Sequence, residues 1–383
     1  MKNSRFLYLV MKNKIYDVIV VGGGLAGLTC ALHLSKQGID VLLIEKDTFP
    51  HHKVCGEYVS NEVLPYLNSL GIDPLAEGAV HISKLKISNY NHKEIESTLP
   101  LGGFGMSRYY FDNLLFKKVN ETCDVVFKTA EAIEFISEKF TVTAQDKTEY
   151  KTKYVVSAHG KRSNIDKKLN RDFIEKKSTW LAVKKHYNYD FPANTVALHT
   201  FKGGYCGLSK TETGVVNACY LTTYSAFKKY NHIEDFQKNN MSKNPFLNKF
   251  FSEAAPLFDS PLTIGQISFQ PKKPVEHHIF MIGDSAGLIH PLCGNGMAMA
   301  IHSAKLFSEL FLKQYETKNI NRTILEKEYE KQWNNKFSKR IKTGRYIQRL
   351  LMNETTASVG FSLLNKFPSM LNLIIKNTHG NPI

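Results

Sequence analysis

Residues 16–45 read YDVIVVGGGLAGLTCALHLSKQGIDVLLIE, in which an apolar run from Val18 to Val21 meets a cluster of glycines. Apolar residues then recur at helical spacing through Leu34, the chain turns at Gly38, and a second apolar run closes at Glu45. The segment predicts a buried strand, a helix and a second buried strand, in that order. From about residue 80 to 105, and again from 170 to 268, the pattern becomes short and alternating, as in HISKLKISNY, TVALHTF and GYCGLSKTETGVVNACYLT. These stretches predict antiparallel strands joined by polar turns. HHIFMIGDSAGLIHPLCGNGMAMAIHSA returns to a short strand, then a Gly294-Asn295-Gly296 turn and a helix starting near Met297. Beyond it, KEYEKQWNNKFSKRIKTGRYIQR predicts a basic helix. Phe361, Leu363, Leu364, Phe367, Met370, Leu371, Ile374 and Ile375 follow on a helical pattern interrupted at Pro368.

The 383 residues, 43% of them hydrophobic, suffice for a large core in two units or in one body with an insertion. No run approaches the roughly 18 apolar residues of a membrane span. Six cysteines are scattered without CxxC spacing, and the opening MKNSRFLYLV is too short an apolar stretch for a secretory signal. Reduced thiols and a cytoplasmic location are therefore expected. Met11 directly precedes the first basic stretch and is an alternative start. Fifty Lys+Arg against thirty-five Asp+Glu give a net charge of +15, which points to anionic partners. No nucleic-acid recognition motif accompanies the charge, so a nucleic-acid partner is not expected. No metal-ligand spacing is present either; no metal is assigned, and His51/His52 and His277/His278 are expected to be solvated.

The glycine cluster carries the first chemistry. Gly22 permits a tight turn, Gly24 lets a pyrophosphate approach the backbone, and Gly27 lets helix and sheet pack closely, while the helix N-terminus offers N–H groups to the phosphates. Glu45 can accept from both ribose hydroxyls and disfavours a 2′-phosphate, so FAD or NAD is expected rather than NADP. Ala26 within the fingerprint and Lys46 beside Glu45 complete the expected contact set. Asp284 at a strand end can hold a polyol hydroxyl. A second helix N-terminus, at Gly294, Asn295, Gly296 and Met297, can stabilise charge on an isoalloxazine ring, which selects FAD. Only one such fingerprint occurs, so NAD(P)H or another reductant is expected as a transient electron donor.

The fingerprint with Glu45, then SRYYFDNLL, VVSAHGKRSNI and GDSAGLIHP, occur in an order that resembles the flavoprotein superfamily of group A aromatic hydroxylases, flavin-dependent halogenases and geranylgeranyl reductases. The resemblance spans roughly residues 14 to 310. It implies that Arg108 contacts the FAD pyrophosphate region, that Asp112 fixes its helix, and that Asp284 binds the ribitol chain. Where the family usually has an aspartate before a glycine, this chain has His159, while Gly160 and Ser163 keep the turn. Lys53, Cys55, Gly56 and Glu57 match a Lys/Arg-x-Cys-Gly-Asp/Glu pattern of the geranylgeranyl reductases, which implies that KVCGE is a flavin-facing loop. There Gly56 would admit the ring, and Cys55 would donate a proton or sense redox state, or simply pack as a small hydrophobe. Tyr205 in GGYCGLSK partly resembles a Gly-Tyr-x-Trp-x-Phe-Pro segment of the reductases, and is either a cavity residue or a packed strand tyrosine. The halogenase Trp-x-Trp-x-Ile-Pro motif is absent.

The expected architecture is α/β: a discontinuous Rossmann-type FAD-binding domain (14–80, 106–168 and 269–310), an inserted antiparallel β-sheet substrate domain (81–105 and 169–268), and a C-terminal helical region (311–383). The resemblance implies an FAD-dependent oxidoreductase reducing carbon–carbon double bonds of an isoprenoid or other long apolar substrate. The alternative is a monooxygenase acting on an aromatic or polyketide-like molecule. The last helices are expected either to lie on a peripheral membrane surface or to roof a substrate tunnel.

Overall fold

The computed structural model describes residues 14–383 apart from 92, 177, 319, 353 and 368, so Met11 and Pro368 lie outside the described residues. Its longer helices are α1 (Leu25–Lys36), α2 (Arg108–Thr122), α3 (Gly296–Tyr315), α4 (Arg322–Met352), α5 (Glu354–Lys366) and α6 (Ser369–Thr378). The two apolar runs form strands Ile15–Val21 and Val41–Glu45, which pair in parallel with Val18 opposite Val41. Asp124–Phe127 continues this sheet beyond the second strand, and Glu149–Ser157 and Ile279–Met281 continue it beyond the first, all in parallel. The helix after the glycines, α1, packs between α2 and α3. The strands can be apolar throughout because protein covers both faces, and Val18, Leu42 and Leu43 are fully buried.

The alternating segments build a second sheet. Its strand order is Ala255–Pro256, Trp180–Asn188, Val216–Thr223, Gly204–Lys210, Thr195–Phe201, Val80–Ser88, Glu94–Gly105 and Tyr58–Ser60. One pairing departs from the antiparallel expectation: Thr195–Phe201 runs parallel to Val80–Ser88. The two strands come from separate stretches of chain, so no tight turn dictates their direction. One face of this sheet buries Phe236, Leu247 and Phe250 from the short helices that follow it.

The C-terminal helices lie across the Val80–Ser88 and Glu94–Gly105 strands, burying Phe361, Leu371 and Ile375 against Ile82, Ile95 and Leu99. Each such side chain contributes about 1.5–3 kcal/mol through burial, enough to fix α5 and α6 in place. Val359, Phe367 and Leu373 remain exposed.

Candidate functional site

A cavity of about 1360 Å³ runs between the two sheets. At one end its wall is Gly22, Gly24, Ala26, Glu45, Lys46, Arg108, Gly160 and Asp284, contributed by the ends of the parallel strands and the helices that follow them. The backbone explains the glycines. Gly22 has φ +106°, and a Cβ there would sit 2.5 Å from Ala158 O. A Cβ on Gly27 would lie 1.8 Å from Gly22 O, so Gly27 serves helix packing and does not itself line the cavity. The α1 N-terminus carries no side-chain cap and opens onto this wall at Gly24, leaving its N–H groups for a phosphate. Glu45 accepts from the backbone N–H of Gly23, from Lys46 N at 2.9 Å and from Asp47 N at 3.0 Å, which orients the carboxylate at the cavity edge.

Arg108 meets Asp112 through two bonds of 2.6 and 2.7 Å, and Lys53 reaches the same carboxylate at 2.9 Å. Burial works against a charged Asp112, but Arg108 and then Lys53 outweigh it and hold the carboxyl below its ordinary range. The guanidinium is thereby anchored beside Gly24 with a net positive charge facing the cavity. His159, standing where the resemblance expects an aspartate, bridges Ser157 at 2.6 Å and Asp166 at 2.9 Å. The carboxylate is supplied instead by Asp166, which is driven down to about 2 against its burial by His159 and Arg171. Gly160 N donates to Ser285 Oγ at 2.9 Å.

Midway along, Cys55, Gly56, Gly294, Gly296 and Met297 share the wall, with Cys55 Sγ 3.5 Å from Met297 Sδ. The KVCGE loop is tied to the second sheet through three of its five backbone carbonyls. Lys184 Nζ donates to Lys53 O at 3.2 Å, Asn217 Nδ2 to Cys55 O at 3.0 Å, and Ser209 Oγ to Gly56 O at 3.2 Å. Glu57, fully buried with φ +55°, accepts from Lys184 Nζ, from His186 Nε2 at 2.7 Å and from Arg108 N at 2.8 Å. Desolvation would push its carboxyl up, yet Lys184 and His186 lower it below the ordinary value. Lys184 and His186 stand two apart on one strand and share a face. Their signal in the sequence was two polar residues at alternating positions of TWLAVKKHYNY, unreadable without knowing which face turns inward.

Tyr205 lines the cavity, and its hydroxyl and His290 Nε2 are both buried without an acceptor or donor among the described residues. Their rings stand 5.9 Å apart. Burial pushes the Tyr205 phenol well above its ordinary value and His290 down to about 3, so both are neutral near pH 7. Asn295 does not line the cavity. Its amide donates to Glu62 Oε2 at 3.1 Å, in a buried network that also holds Arg340, because the turn is anchored against α4. His277 and His278 are exposed as expected, with bonds to Leu169 O and Glu326, whereas His51 and His52 are half-buried and His52 stands edge-on to His186 at 5.4 Å. Among the described residues no metal-holding cluster is found.

The far end of the cavity is apolar, lined by Leu85, Ile87, Leu99, Leu198, Phe361 and Ile375. Its volume exceeds the roughly 300–1,000 Å³ of an ordinary single-ligand pocket, which leaves room for a second molecule beside a dinucleotide. The open helix N-terminus, the oriented Glu45 and the anchored Arg108 fit an FAD at the other end.

A family profile described as FAD binding domain matches residues 15–317. The chain is 24% identical over 361 residues to conditioned medium factor receptor 1 of Dictyostelium discoideum, covering 84% of this chain and 68% of that protein. It is 26% identical over 366 residues to digeranylgeranylglycerophospholipid reductase of Methanococcus vannielii, covering 89% of each. Among solved structures, the flavin-dependent brominase Bmp2 superposes with a TM-score of 0.78 at 18% identity, covering 95% of this chain and 93% of that one.

Proposed function

We propose that this chain, which belongs to the FAD binding domain family and is an FAD-dependent oxidoreductase, reduces carbon–carbon double bonds of a long apolar, isoprenoid-type substrate. The observation that carries the reading is the continuous cavity, charged and glycine-lined at one end and apolar at the other. The similarity to digeranylgeranylglycerophospholipid reductase, over nearly the whole of both chains, supports it.

When bound, FAD supplies hydride from its reduced ring. The chain's residues do the rest. The α1 N-terminus, Glu45 and Arg108 bind the dinucleotide, with Asp112 and Lys53 holding the guanidinium in place. Asp284 and Gly160 would hold its middle, and Gly294, Gly296 and Met297 would hold its ring. The apolar wall orients a chain-like substrate and excludes water, which supplies reactivity through positioning. Cys55 lines the middle of the cavity beside Met297, where its thiol could donate a proton to a carbon of the double bond being reduced. The neutral Tyr205 hydroxyl, lacking an internal partner, is a second donor on the same wall. NAD(P)H or another carrier would supply the electrons.

The exposed apolar face of α5 and α6, with Lys366 and Lys376 beside it, is assigned to a membrane surface where such substrates dissolve. Among the described residues no helix is long and apolar enough to cross a membrane.

The test is turnover of a polyprenyl substrate by the reduced enzyme with and without oxygen. Anaerobic saturation of double bonds supports the proposal. Turnover that requires oxygen and incorporates labelled oxygen into product replaces it with the monooxygenase reading.

A further inference from the structure

Beside the main cavity lies a smaller one of about 200 Å³ whose lining has a different character. Its lining includes Lys176, Gln270 and, from α4, Arg345, Gln348 and Arg349, with no aspartate or glutamate among the described lining residues. Arg345 Nε is buried without an acceptor among the described residues. Burial, and then the neighbouring Arg349, push the Arg345 guanidinium below its ordinary pKa. Three of the protein's buried cations have carboxylate partners: Arg108 with Asp112, Arg171 with Asp166 and Glu276, Lys184 with Glu57. Here the half-buried Arg345 faces the pocket with Arg349 and Lys176 reaching it from exposed positions, and no carboxylate among the described lining residues pairs with them.

A buried N–H without an acceptor and clustered like charges are both costly, and an anion entering the void relieves both at once. The residue types narrow the anion. Two arginines offer planar forks that suit phosphate or carboxylate oxygens, and three cations match a dianion better than a monoanion. Ile267 belongs to the walls of both cavities, so a group held in the smaller one lies against the larger.

We propose that the pocket formed by Lys176, Arg345 and Arg349 is a binding site for a phosphate group. The inference rests on this pocket alone and does not depend on the double-bond reduction proposed above. Two sources share the chemistry, a soluble phosphate or phosphomonoester and the phosphate of a long-chain lipid whose tail would enter the main cavity.

The experiment is calorimetric titration of the FAD-loaded enzyme, so that the dinucleotide site is filled, with inorganic phosphate, dodecyl phosphate and dodecanol. Arg345→Gln, Arg345→Lys and Lys176→Gln are titrated alongside. Losing one charge-assisted contact is expected to weaken phosphate and dodecyl phosphate at least about tenfold, with Arg345→Lys falling between wild type and Arg345→Gln, and dodecanol unchanged throughout. Dodecyl phosphate binding far more tightly than inorganic phosphate assigns the site to a lipid, and equal affinities assign it to a soluble ester. Absence of phosphate binding at millimolar concentration, or affinities unmoved by both glutamine substitutions, overturns the proposal. Lys176 is exposed, so its variant reports even if Arg345→Gln fails to fold.

Discussion

Replacing Lys184 by methionine removes the ammonium group from Glu57 while keeping a side chain of similar length. Both residues are fully buried. Breaking one side of such a pair costs about 3–5 kcal/mol, because the remaining charge is left in a low-dielectric interior. His186 and Arg108 N still face Glu57, so the lower half of that range is expected at pH 7.5. The pH dependence provides a sharper check. In the wild type the Glu57 carboxyl lies below its ordinary value, so its contribution is present above the unfolded pKa of about 4.3 and fades as pH falls through the folded value. Without Lys184, desolvation dominates and the folded carboxyl rises, so the variant loses stability as pH climbs past 4.3. The deficit should therefore widen from pH 4.5 to 7.5, read as urea-denaturation midpoints by circular dichroism and flavin release. The double variant Glu57→Gln/Lys184→Met should recover much of the loss, since no charge is left unpaired. A deficit under about 1 kcal/mol, as for a surface pair, or one flat with pH would refute the reasoning.

Other outcomes follow from the same geometry. Gly27→Ala should prevent flavin retention and strongly destabilise the fold, because the added Cβ would meet Gly22 O at 1.8 Å; a yellow, stable variant on purification would contradict this. Asp112→Asn should release Arg108 and Lys53 and weaken FAD binding by about 10- to 100-fold, a loss of roughly 1.4–2.8 kcal/mol, measured by equilibrium titration of the apoprotein. Leu371→Trp should shorten the apolar end of the cavity and lower kcat/KM for long substrates more than for short ones, with FAD affinity unchanged in a fluorescence titration. Lys272 is depressed to about 8 by burial, so it sheds its proton in the folded state before the unfolded state does. Stability should rise between about pH 8 and the unfolded lysine value near 10.4, and Lys272→Met should flatten that rise in a thermal-melt series.

The nucleotide end of the site was legible because its signal is local. Gly22, Gly24, Gly27 and Glu45 lie within one strand, helix, strand unit, and their spacing states what each must do. The apolar faces of α5 and α6 were likewise readable from Phe361, Leu371 and Ile375 at helical spacing, though which face met protein was not. The Glu57, Lys184 and His186 cluster was illegible because it joins residues more than 120 positions apart through a strand register that no short window contains. Asn295 misled for a related reason: the turn it sits in is at the cavity, but its amide is claimed by Glu62 from a distant segment. The parallel pairing of Thr195–Phe201 with Val80–Ser88 also lies beyond alternation, which reports faces and not directions.

The stitching of the KVCGE loop bears on how such enzymes diversify. The loop is encoded with the nucleotide-binding unit, yet Lys184, Ser209 and Asn217, which hold its carbonyls, are encoded in the inserted sheet. A chimera that grafts another relative's sheet onto this chain inherits a loop without its moorings unless those three positions travel with the graft. The two units are thus a matched lock and strike plate, and a change of substrate specificity is more readily reached by altering α5 and α6, which roof the cavity without touching those ties.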